Sequence, residues 1–301
     1  MKPVEQPHVL CVGRNSVDIG LDVDLELLRA DGKQRSGAAH ITVGGQCVNA
    51  AVTLAGLGAQ VSYAGVIGES DGGEMVKSFL ASRNVDFSPS ALVPHMPNAS
   101  AYVLVDSRTG DRTIIESAPD QYPVLGQVVL PAQCDYVYFD GNEFPASNDI
   151  AGAARQAGIP TLMDMEVMNE ATLALLSSVD TAIVPLPVAA EIAGTGDTRL
   201  MLKMLAALGP GRVAITMGAQ GAIGLDAEGN QHDIPPVPCA AIDTTGAGDA
   251  FHAGFLFADS KGLAFHKALA FAAHVASLKC KTRGPSISAD ALVEIALTLP
   301  G

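Results

Sequence analysis

Positively charged residues are scarce in this chain of 301 residues, which carries 18 Lys and Arg against 32 Asp and Glu and has a formal net charge of −14. No three Lys or Arg residues follow one another. Non-specific binding to DNA or RNA depends on Lys and Arg side chains that replace phosphate counterions, and anionic membranes also attract basic segments. We therefore expect no nucleic-acid or membrane partner, and an anionic substrate would need a local site.

Paired cysteines and long apolar segments are also missing. The longest apolar stretches, such as 264–278, are interrupted by His or Lys and do not reach the roughly 18 apolar residues of a membrane-spanning helix. The first residues lack the pattern of a signal peptide. The prediction is a cytoplasmic protein, and reduced thiols without a CxxC pair agree with it. These thiols are Cys11, Cys47, Cys134, Cys239 and Cys280.

Short apolar runs alternate along the chain with helical patterns. Runs that are apolar on both faces are typical of parallel strands covered by helices on each side. The alternation predicts an α/β fold with a doubly wound, mostly parallel central sheet. The runs lie at residues 8–13, 135–139, 160–164, 181–184 and 213–216. Helical spacing occurs at residues 48–57, 73–83, 146–157, 170–177, 199–208, 247–260, 263–279 and 288–297.

Two segments interrupt this alternation, at residues 21–43 and 99–116. The second contains two apolar runs, 101–105 and 112–115, on either side of a polar turn, which predicts a β-hairpin. We expect a small antiparallel β lid, built by insertions at about 14–43 and 97–118. No linker or repeat divides the chain, so residues 1–301 are predicted to form a single domain.

The segment that points most directly to chemistry is D-T-T-G-A-G-D, from Asp243 to Asp249, which runs straight into a long helical pattern. Glycines let the backbone approach a ligand, and the first N–H groups of a helix suit an anion. Asp249, just inside the helix, could take a proton from a hydroxyl group that attacks a phosphoryl group. The plain alternative is a glycine-rich helix start in which Asp249 favours the helix dipole.

Two further clusters suggest a ligand rich in hydroxyl groups. Gly44 and Gly45 precede a helical pattern, and Asn49 offers both a donor and an acceptor one turn later. Asp18 follows the first strand, at the edge of the sheet where open α/β folds bind ligands. Each cluster also has a plain alternative, a turn with a helix start for the first and a solvated loop acid for the second.

The order and spacing of these clusters resemble the ribokinase-like (PfkB) sugar kinase family. Its signatures are G-G-x-x-x-N near the N-terminus, here Gly44 to Asn49, and D-T-x-G-A-G-D near the C-terminus, here Asp243 to Asp249. A T-x-G-x-x-G segment, here Thr216 to Gly221, also matches, and the resemblance covers nearly the whole chain. It implies an enzyme that transfers the γ-phosphoryl group of ATP, accompanied by Mg²⁺, to a sugar hydroxyl.

The resemblance also implies a role for each matching residue. Asp249 would be the catalytic base, with an anion hole from the amides of Gly246, Ala247 and Gly248. The acceptor would be held by Asp18, Gly44, Gly45 and Asn49. The nucleotide would be bordered by Thr216, Gly218, Gly221, Thr245, Cys280 and Gly284. In many members a monovalent cation such as K⁺ binds carbonyl groups of the 280–284 loop and near Asp243, and members often form homodimers through the lid.

The chain departs from the family pattern after the 181–184 strand. Many members carry N-x-x-E there, which organises Mg²⁺ and phosphate, whereas this chain has no Asn in 184–191 and its Glu191 comes about three positions late. The sequence therefore leaves the metal ligands unassigned. Ketohexokinase-like and sulfofructose kinase-like members share this departure, which favours a ketose acceptor. Arg112 from the lid and Asp140 after the 135–139 strand are further candidates for its binding.

Two alternatives stay open on the same fold. One is a nucleoside or 2-keto-3-deoxygluconate kinase, and the other is a non-catalytic scaffold that binds sugar or nucleotide. A Rossmann dehydrogenase and a P-loop kinase are disfavoured, because the sequence has no G-x-G-x-x-G after its first strand and no G-x-x-x-x-G-K-[ST].

Overall fold

A nine-stranded sheet forms the centre of the protein in the computed structural model. The structure describes residues 5–28, 31–106, 108, 112–117, 125–143 and 145–299. Of Arg112 it describes the backbone alone. The strands are β1 (His8–Val12), β2 (Ser16–Val23), β3 (His40–Gly44), β4 (Gln60–Ala64), β5 (Val66–Glu69), β6 (Val85–Asp86), β7 (Ala91–Pro94), β8 (Ser100–Asp106), β9 (Arg112–Ser117), β10 (Tyr136–Phe139), β11 (Thr161–Asp164), β12 (Thr181–Pro185), β13 (Arg212–Thr216), β14 (Ala222–Leu225) and β15 (Gln231–Ile234). The helices are α1 (Gln46–Gly56), α2 (Asp71–Ser82), α3 (Ala146–Ala157), α4 (Glu170–Leu176), α5 (Leu186–Ala193), α6 (Thr198–Ala207), α7 (Ala247–Ser260), α8 (Phe265–Cys280) and α9 (Ala289–Ala296).

The central sheet has the strand order β15-β14-β13-β12-β11-β10-β1-β4-β6. Its strands run parallel from β6 to β13, and β14 and β15 are antiparallel at one edge. Strand β1, inside this sheet, is buried on both faces, as the apolar runs in the sequence predict. Val9 and Cys11 pack into one apolar core, and Leu10 and Val12 pack into a second core on the opposite face. The predicted doubly wound, mostly parallel sheet is therefore confirmed.

A second sheet of four strands, in the order β3-β2-β8-β9, provides the strands of the predicted lid. Its two outer pairs, β2–β3 and β8–β9, are antiparallel, and the hairpin predicted around 101–115 is confirmed by the pairing of β8 with β9. The two pairs join through β2 and β8, which run parallel. Asp18 and Thr42 are register partners on β2 and β3, so this sheet carries one of the predicted acceptor residues.

Most helices start and end close to the predicted positions, and α3 and α7 match the predicted 146–157 and 247–260 at both ends. The exception is α5, which was not predicted because Pro185 and Pro187 interrupt the segment. Proline lacks an N–H group, but the first turn of a helix has no internal use for that group, so proline is tolerated there. Among the described residues, no helix is long and apolar enough to cross a membrane.

Helices α7 and α8 pack in close contact. A Cβ at Gly254 in α7 would lie 2.9 Å from Cγ2 of Val275 and 3.0 Å from Cα of Ala272, both in α8. Because the helices touch at this glycine, the first turn of α7 and the last turn of α8 are held in a fixed relation. Both ends contribute to the site described below.

Gly254→Ala should lower the free energy of unfolding by about 1–3 kcal/mol, because the added methyl group forces α7 and α8 apart. Gly152 gives the matched control, since it lies inside α3 and a Cβ there would meet no atom within 4 Å. Alanine favours a helix more than glycine does, so Gly152→Ala should raise the same free energy by about 0.5–1 kcal/mol. Urea denaturation measures both changes, and equal effects at the two sites would contradict the packing argument.

Candidate active site

The first turn of α7 forms the centre of the candidate site. Gly246 caps the helix with a φ of 76°, in the left-handed region that glycine adopts without strain. The first N–H groups of a helix have no carbonyl acceptor inside it; that of Ala247 donates to the carbonyl of Thr244 at 3.2 Å. Gly248 is exposed, and a Cβ there would meet no atom within 4 Å. Open space therefore adjoins Gly248, while Asp249 in the same turn is buried.

The other predicted cluster meets Asp249 directly. Asn49, in the first turn of α1, donates from its Nδ2 to Oδ2 of Asp249 at 2.7 Å. Gly45 caps α1 with a φ of 95°, and a Cβ there would lie 2.6 Å from Cα of Asn15. A Cβ at Gly44 would overlap the Asp18 carboxylate. The close backbone approach that these glycines allow is thus made to the loop and strand after β1, and it brings Asp18 and Asn49 to one side of the site.

Two buried carboxyl groups influence each other at this place. Burial and, after it, the negative charge of Asp164 raise the pKa of Asp249 to about 8, against the opposing effect of the hydrogen bond from Asn49. Asp164 ends β11, and burial followed by the charge of Glu166 raises its pKa well above the usual range. Gln46 Nε2 donates to Oδ2 of Asp164 at 3.2 Å. Asp249 therefore holds its proton up to a pH at which ordinary carboxyl groups are ionised.

His252 lies one turn after Asp249 and is surrounded by oxygen atoms. Its Nδ1 is 2.6 Å from the carbonyl oxygen of Gly248, and its Nε2 is 3.1 Å from that of Ile183 and 3.5 Å from Oδ1 of Asp164. Burial lowers the pKa of His252, so the neutral ring is favoured. These contacts tie the first turn of α7 to the ends of β11 and β12.

A cavity of about 640 Å³ lies between the four-stranded sheet and the D-T-T-G segment. Asp18 and Thr42 line it from the sheet, and Thr245, Arg283 and Gly284 line it from the other side. Burial raises the pKa of Asp18, and Ser16 Oγ donates to its Oδ1 at 2.6 Å. Asp18, predicted for the acceptor, therefore shares one cavity with Thr245 and Gly284, predicted for the nucleotide.

The loop after α8 is bonded to the D-T-T-G segment through Asp243. Oδ1 of Asp243 accepts the N–H of Thr245 and Oδ2 accepts that of Gly284, each at 2.8 Å. The carbonyl of Cys280 accepts the N–H of Ile242 at 2.7 Å. The backbone N–H groups and the positive charge of Lys279 outweigh burial and hold the pKa of Asp243 below its usual range. The predicted residues Cys280 and Gly284 thus border the segment that leads into α7.

The remaining predicted nucleotide residues lie in the turn between β13 and β14. Thr216 ends β13, Gly218 starts a short 3-10 turn, and Gly221 has a φ of 88° beside the carbonyl of Ile234. With neighbouring strands about 4.8 Å apart, β13 lies roughly 19 Å from β1. A ligand that contacted both this turn and the loop after β1 would have to span about that distance.

Asp140 and Arg112 were the two further residues predicted to bind the acceptor. The carboxylate of Asp140 is buried and accepts the backbone N–H groups of Arg14 at 2.7 Å and Asn142 at 2.9 Å, so it bonds the loops after β1 and β10 to each other. Burial raises its pKa to about 6 against these hydrogen bonds. The backbone of Arg112 pairs with Val105, and its side chain lies outside the described part of the chain.

Three buried acceptor oxygens around the site lack a hydrogen-bond partner among the described residues. They are Oδ1 of Asn49, Oε1 of Glu143 and Oδ1 of Asp164. Glu143 has a φ of 62°, rare for a residue with a side chain, and burial together with the charge of Asp140 raises its pKa to about 7. Buried acceptors of this kind are normally paired. Each of them could accept a hydrogen bond from a ligand that carries hydroxyl or N–H donors.

Asp164 and Glu143 were not predicted as site residues. Asp164 ends a predicted strand, so the rule that selected Asp140 at the carboxyl end of a strand would also have selected it. The left-handed backbone of Glu143 leaves no comparable signal in the sequence. Glu191, which comes late relative to the acid of the missing N-x-x-E motif, is exposed on α5. Within the described ranges, no group of three His, Cys, Asp or Glu side chains is arranged to hold a metal ion.

Comparison with known proteins agrees with this geometry. Residues 6–292 match the pfkB family carbohydrate kinases. The chain is similar to the ribokinase of Bacillus subtilis, with 27% identity over 90% of this chain and 92% of that one, and to the ketohexokinase of Mus musculus, with 24% identity over 93% and 98%. A solved structure of Arabidopsis thaliana ribokinase with ribose and ATP superposes with a TM-score of 0.82 at 23% identity, over 98% of this chain and 99% of that one, which shows the fold.

Replacing Asp249 by Asn tests the raised pKa. An acid whose pKa is higher in the folded state stabilises the protein at low pH and loses that contribution as the pH rises through the folded value, here about 8. The free energy of unfolding of Asp249→Asn, relative to the wild type, should therefore increase from about pH 5 to about pH 9 by at least about 1 kcal/mol. Urea denaturation across this range measures it.

The control is Asp149→Asn, which alters an exposed acid in the first turn of α3. Its stability relative to the wild type should change less with pH. Parallel pH profiles for the wild type and Asp249→Asn would contradict the raised pKa.

Proposed function

Since the chain belongs to the pfkB family of carbohydrate kinases, we propose that it transfers the γ-phosphoryl group of ATP to a hydroxyl of a small sugar. In this proposal Asp249 is the base, and the amides of Gly246, Ala247 and Gly248 stabilise the charge on the transferred group. That the protein is an ATP-dependent sugar kinase follows from the family and its named relatives. The residue roles and the acceptor are the proposed part.

The observation that carries the acceptor proposal is that three buried acceptor oxygens, on Asn49, Glu143 and Asp164, have no hydrogen-bond partner among the described residues. An unpaired buried acceptor costs about 1–3 kcal/mol, so a ligand that supplies donors recovers this free energy. Each hydroxyl of a sugar supplies one donor, and several hydroxyls on one ring match several acceptors. Asp18 adds a carboxylate on the lid side of the cavity.

The surroundings of Asp249 suit a catalytic base. A base is most effective when its pKa lies near the working pH, and burial raises that of Asp249 to about 8. Asn49 holds one carboxylate oxygen at 2.7 Å and so fixes the orientation of the group. A sugar hydroxyl at Asn49 Oδ1 would lie beside Asp249, which would take its proton as the oxygen attacks phosphorus.

The phosphoryl group would be held mainly by neutral donors. The N–H groups of the first turn of α7 and the helix dipole favour a negative charge there, and the space beside Gly248 is open. Arg283 adds one positive side chain to the cavity wall. The four-stranded sheet covers the cavity, and its closure over the acceptor would exclude water as a competing nucleophile.

Mg²⁺ would enter bound to ATP and would neutralise charge on the phosphates. Because no described group of three His, Cys, Asp or Glu side chains could hold a metal ion, the phosphates and water would supply most of its ligands. Glu166 is close enough to Asp249 to raise its pKa, and its carboxylate would contact the ion from the protein side. ATP itself would reach toward Thr216, Gly218 and Gly221.

Asp249→Asn should lower kcat by about 100-fold to 10,000-fold, because Asn cannot accept the proton. KM for ATP should stay within about threefold of the wild type, since ATP contacts are unchanged. In the wild type, kcat/KM should rise with pH and level off above about 8, as the carboxylate loses its proton. ADP release, measured with ketoses first and then with aldoses, nucleosides and 2-keto-3-deoxygluconate, identifies the acceptor and measures these constants.

Asp149→Asn serves again as the control and should retain wild-type turnover. Near-wild-type turnover by Asp249→Asn would overturn the assignment of the base. If no acceptor stimulates ADP release although ATP binds in calorimetry, the non-catalytic scaffold would replace the proposed function.

The outer face of the four-stranded sheet supports a homodimer. Ile41, Ile19, Tyr102 and Ile115 are register partners across β3, β2, β8 and β9. Three of them are exposed, Ile41 by 56%, Tyr102 by 41% and Ile115 by 53%. A continuous apolar row on an exposed sheet face is typical of an interaction surface, and a second copy would present the same row across a two-fold axis.

We expect the wild type to sediment with twice the mass of the chain and Ile41→Asp to sediment as a monomer, because a charge in the row opposes its burial. Val129→Asp changes an exposed valine outside this sheet and should leave the dimer intact. A monomeric wild type at assay concentrations would contradict the interface.

A further inference from the structure

Lys279, in the last turn of α8, has a side chain with no exposed surface. Its Nζ donates to the main-chain carbonyl of Asp243 at 2.7 Å and to that of Thr282 at 3.2 Å. A buried ammonium group is costly unless oxygen atoms replace its water shell. Here the oxygens belong to the backbone, and the Asp243 carboxylate is near enough for Lys279 to lower its pKa.

The two carbonyls belong to the two segments that border the cavity. Asp243 starts the segment that leads into α7, and Thr282 belongs to the loop after α8. The same segments are also joined by the bond from Gly284 N–H to the Asp243 carboxylate. Farther along, Gly246 packs against Pro285, whose Cα would lie 3.1 Å from a Cβ at Gly246. The ammonium of Lys279 is thus a positive centre that draws both segments together just before the first turn of α7.

Main-chain carbonyls beside a carboxylate are the oxygen ligands that a monovalent cation takes. The family resemblance implies such a cation at the 280–284 loop and Asp243, but in this chain these carbonyls already hold a covalently attached cation. A metal ion placed among the same oxygens would be repelled by the ammonium group. The residues present therefore do not fit a resident K⁺ ion.

We propose that Lys279 is an internal replacement for a monovalent metal ion, a positioning residue that orders the amides at the start of α7 without K⁺. The proposal builds on the proposed kinase function, because the amides it positions are those assigned to the phosphoryl group. Binding of K⁺ to the folded protein can also be measured without turnover, so the proposal can be tested apart from the kinase activity.

The first measurement is the response of the wild type to K⁺. Turnover and thermal unfolding should each change little when KCl replaces tetramethylammonium chloride at a constant ionic strength of about 0.1 M. Activation of the wild type by more than about tenfold, equal to about 1.4 kcal/mol of transition-state stabilisation, would overturn the proposal. A K⁺-dependent rise in the Tm of the wild type without ligands would overturn it as well.

The second measurement uses Lys279→Ala, which removes the ammonium group and leaves its carbonyl ligands. Turnover in tetramethylammonium chloride should fall at least about tenfold, since a lost hydrogen bond to a charged group costs about 1.5–3 kcal/mol. K⁺ or NH₄⁺ should restore part of it and should raise the Tm of this variant. A purely structural role for Lys279 predicts no rescue by any cation, and that result would contradict the replacement.

Lys267→Ala is the matched control, because Lys267 lies on the same helix with an exposed side chain. It should show neither the loss nor the K⁺ response. If Lys279→Ala folds only in K⁺, the proposal is supported; if it folds in no salt, the wild-type response decides alone. Should no acceptor be found, the ligand-free Tm measurements still test the cation, so failure of the kinase assignment and failure of this proposal can be told apart.

Discussion

The hydrogen bond from Asn49 to Asp249 joins two residues that are 200 positions apart in the chain. It holds the first turn of α1 against the first turn of α7, so that the diglycine before Asn49 and the glycines before Asp249 meet at one place. Asp164 ends the parallel strand β11 and raises the pKa of Asp249, so the carboxyl end of the central sheet adjoins the place where α1 and α7 meet. A shift of either helix would break the bond and would leave a buried carboxylate without its donor, which is strongly unfavourable.

The site retains interactions that stability alone would not select. Burial raises the pKa of Asp249 to about 8 and that of Glu143 to about 7, and both groups lie near oxygens with no partner among the described residues. A chain selected only for stability would replace them by apolar side chains or would pair them. Their unfavourable free energy is recovered when a ligand supplies the missing donors and when the base accepts a proton. The tight packing of α7 against α8 provides the stability that tolerates this arrangement.

Periodicity in the sequence was sufficient for the main architecture. The ends of α3 and α7 were predicted to the residue, because small and apolar residues recur there at helical spacing and a glycine or proline marks the border. It was not sufficient for α5, where prolines concealed a helix start. In the site, Asn49 and Asp249 were predicted from their motifs, whereas the backbone of Glu143 and the burial of Lys279 depend on contacts between distant segments. A lysine in a helical pattern ordinarily indicates a solvated face, and only the tertiary structure shows that its ammonium group lies on carbonyl oxygens.

The scarcity of cations and the raised pKa of the base are consistent with each other. Several positive side chains stabilise the fold: Arg212 forms a two-point pair with Asp259 at 2.7 and 2.9 Å, Arg108 contacts Asp106, and Lys279 holds two carbonyls. A Lys or Arg placed beside Asp249 would bind phosphate well, but its charge would lower the pKa of the carboxylate and weaken the base. Neutral N–H groups at a helix end can stabilise a phosphoryl group without adding a full positive charge there. A site that needs both a basic carboxylate and a bound polyphosphate therefore favours glycine amides over cationic side chains, and this chain has the composition that such a choice requires.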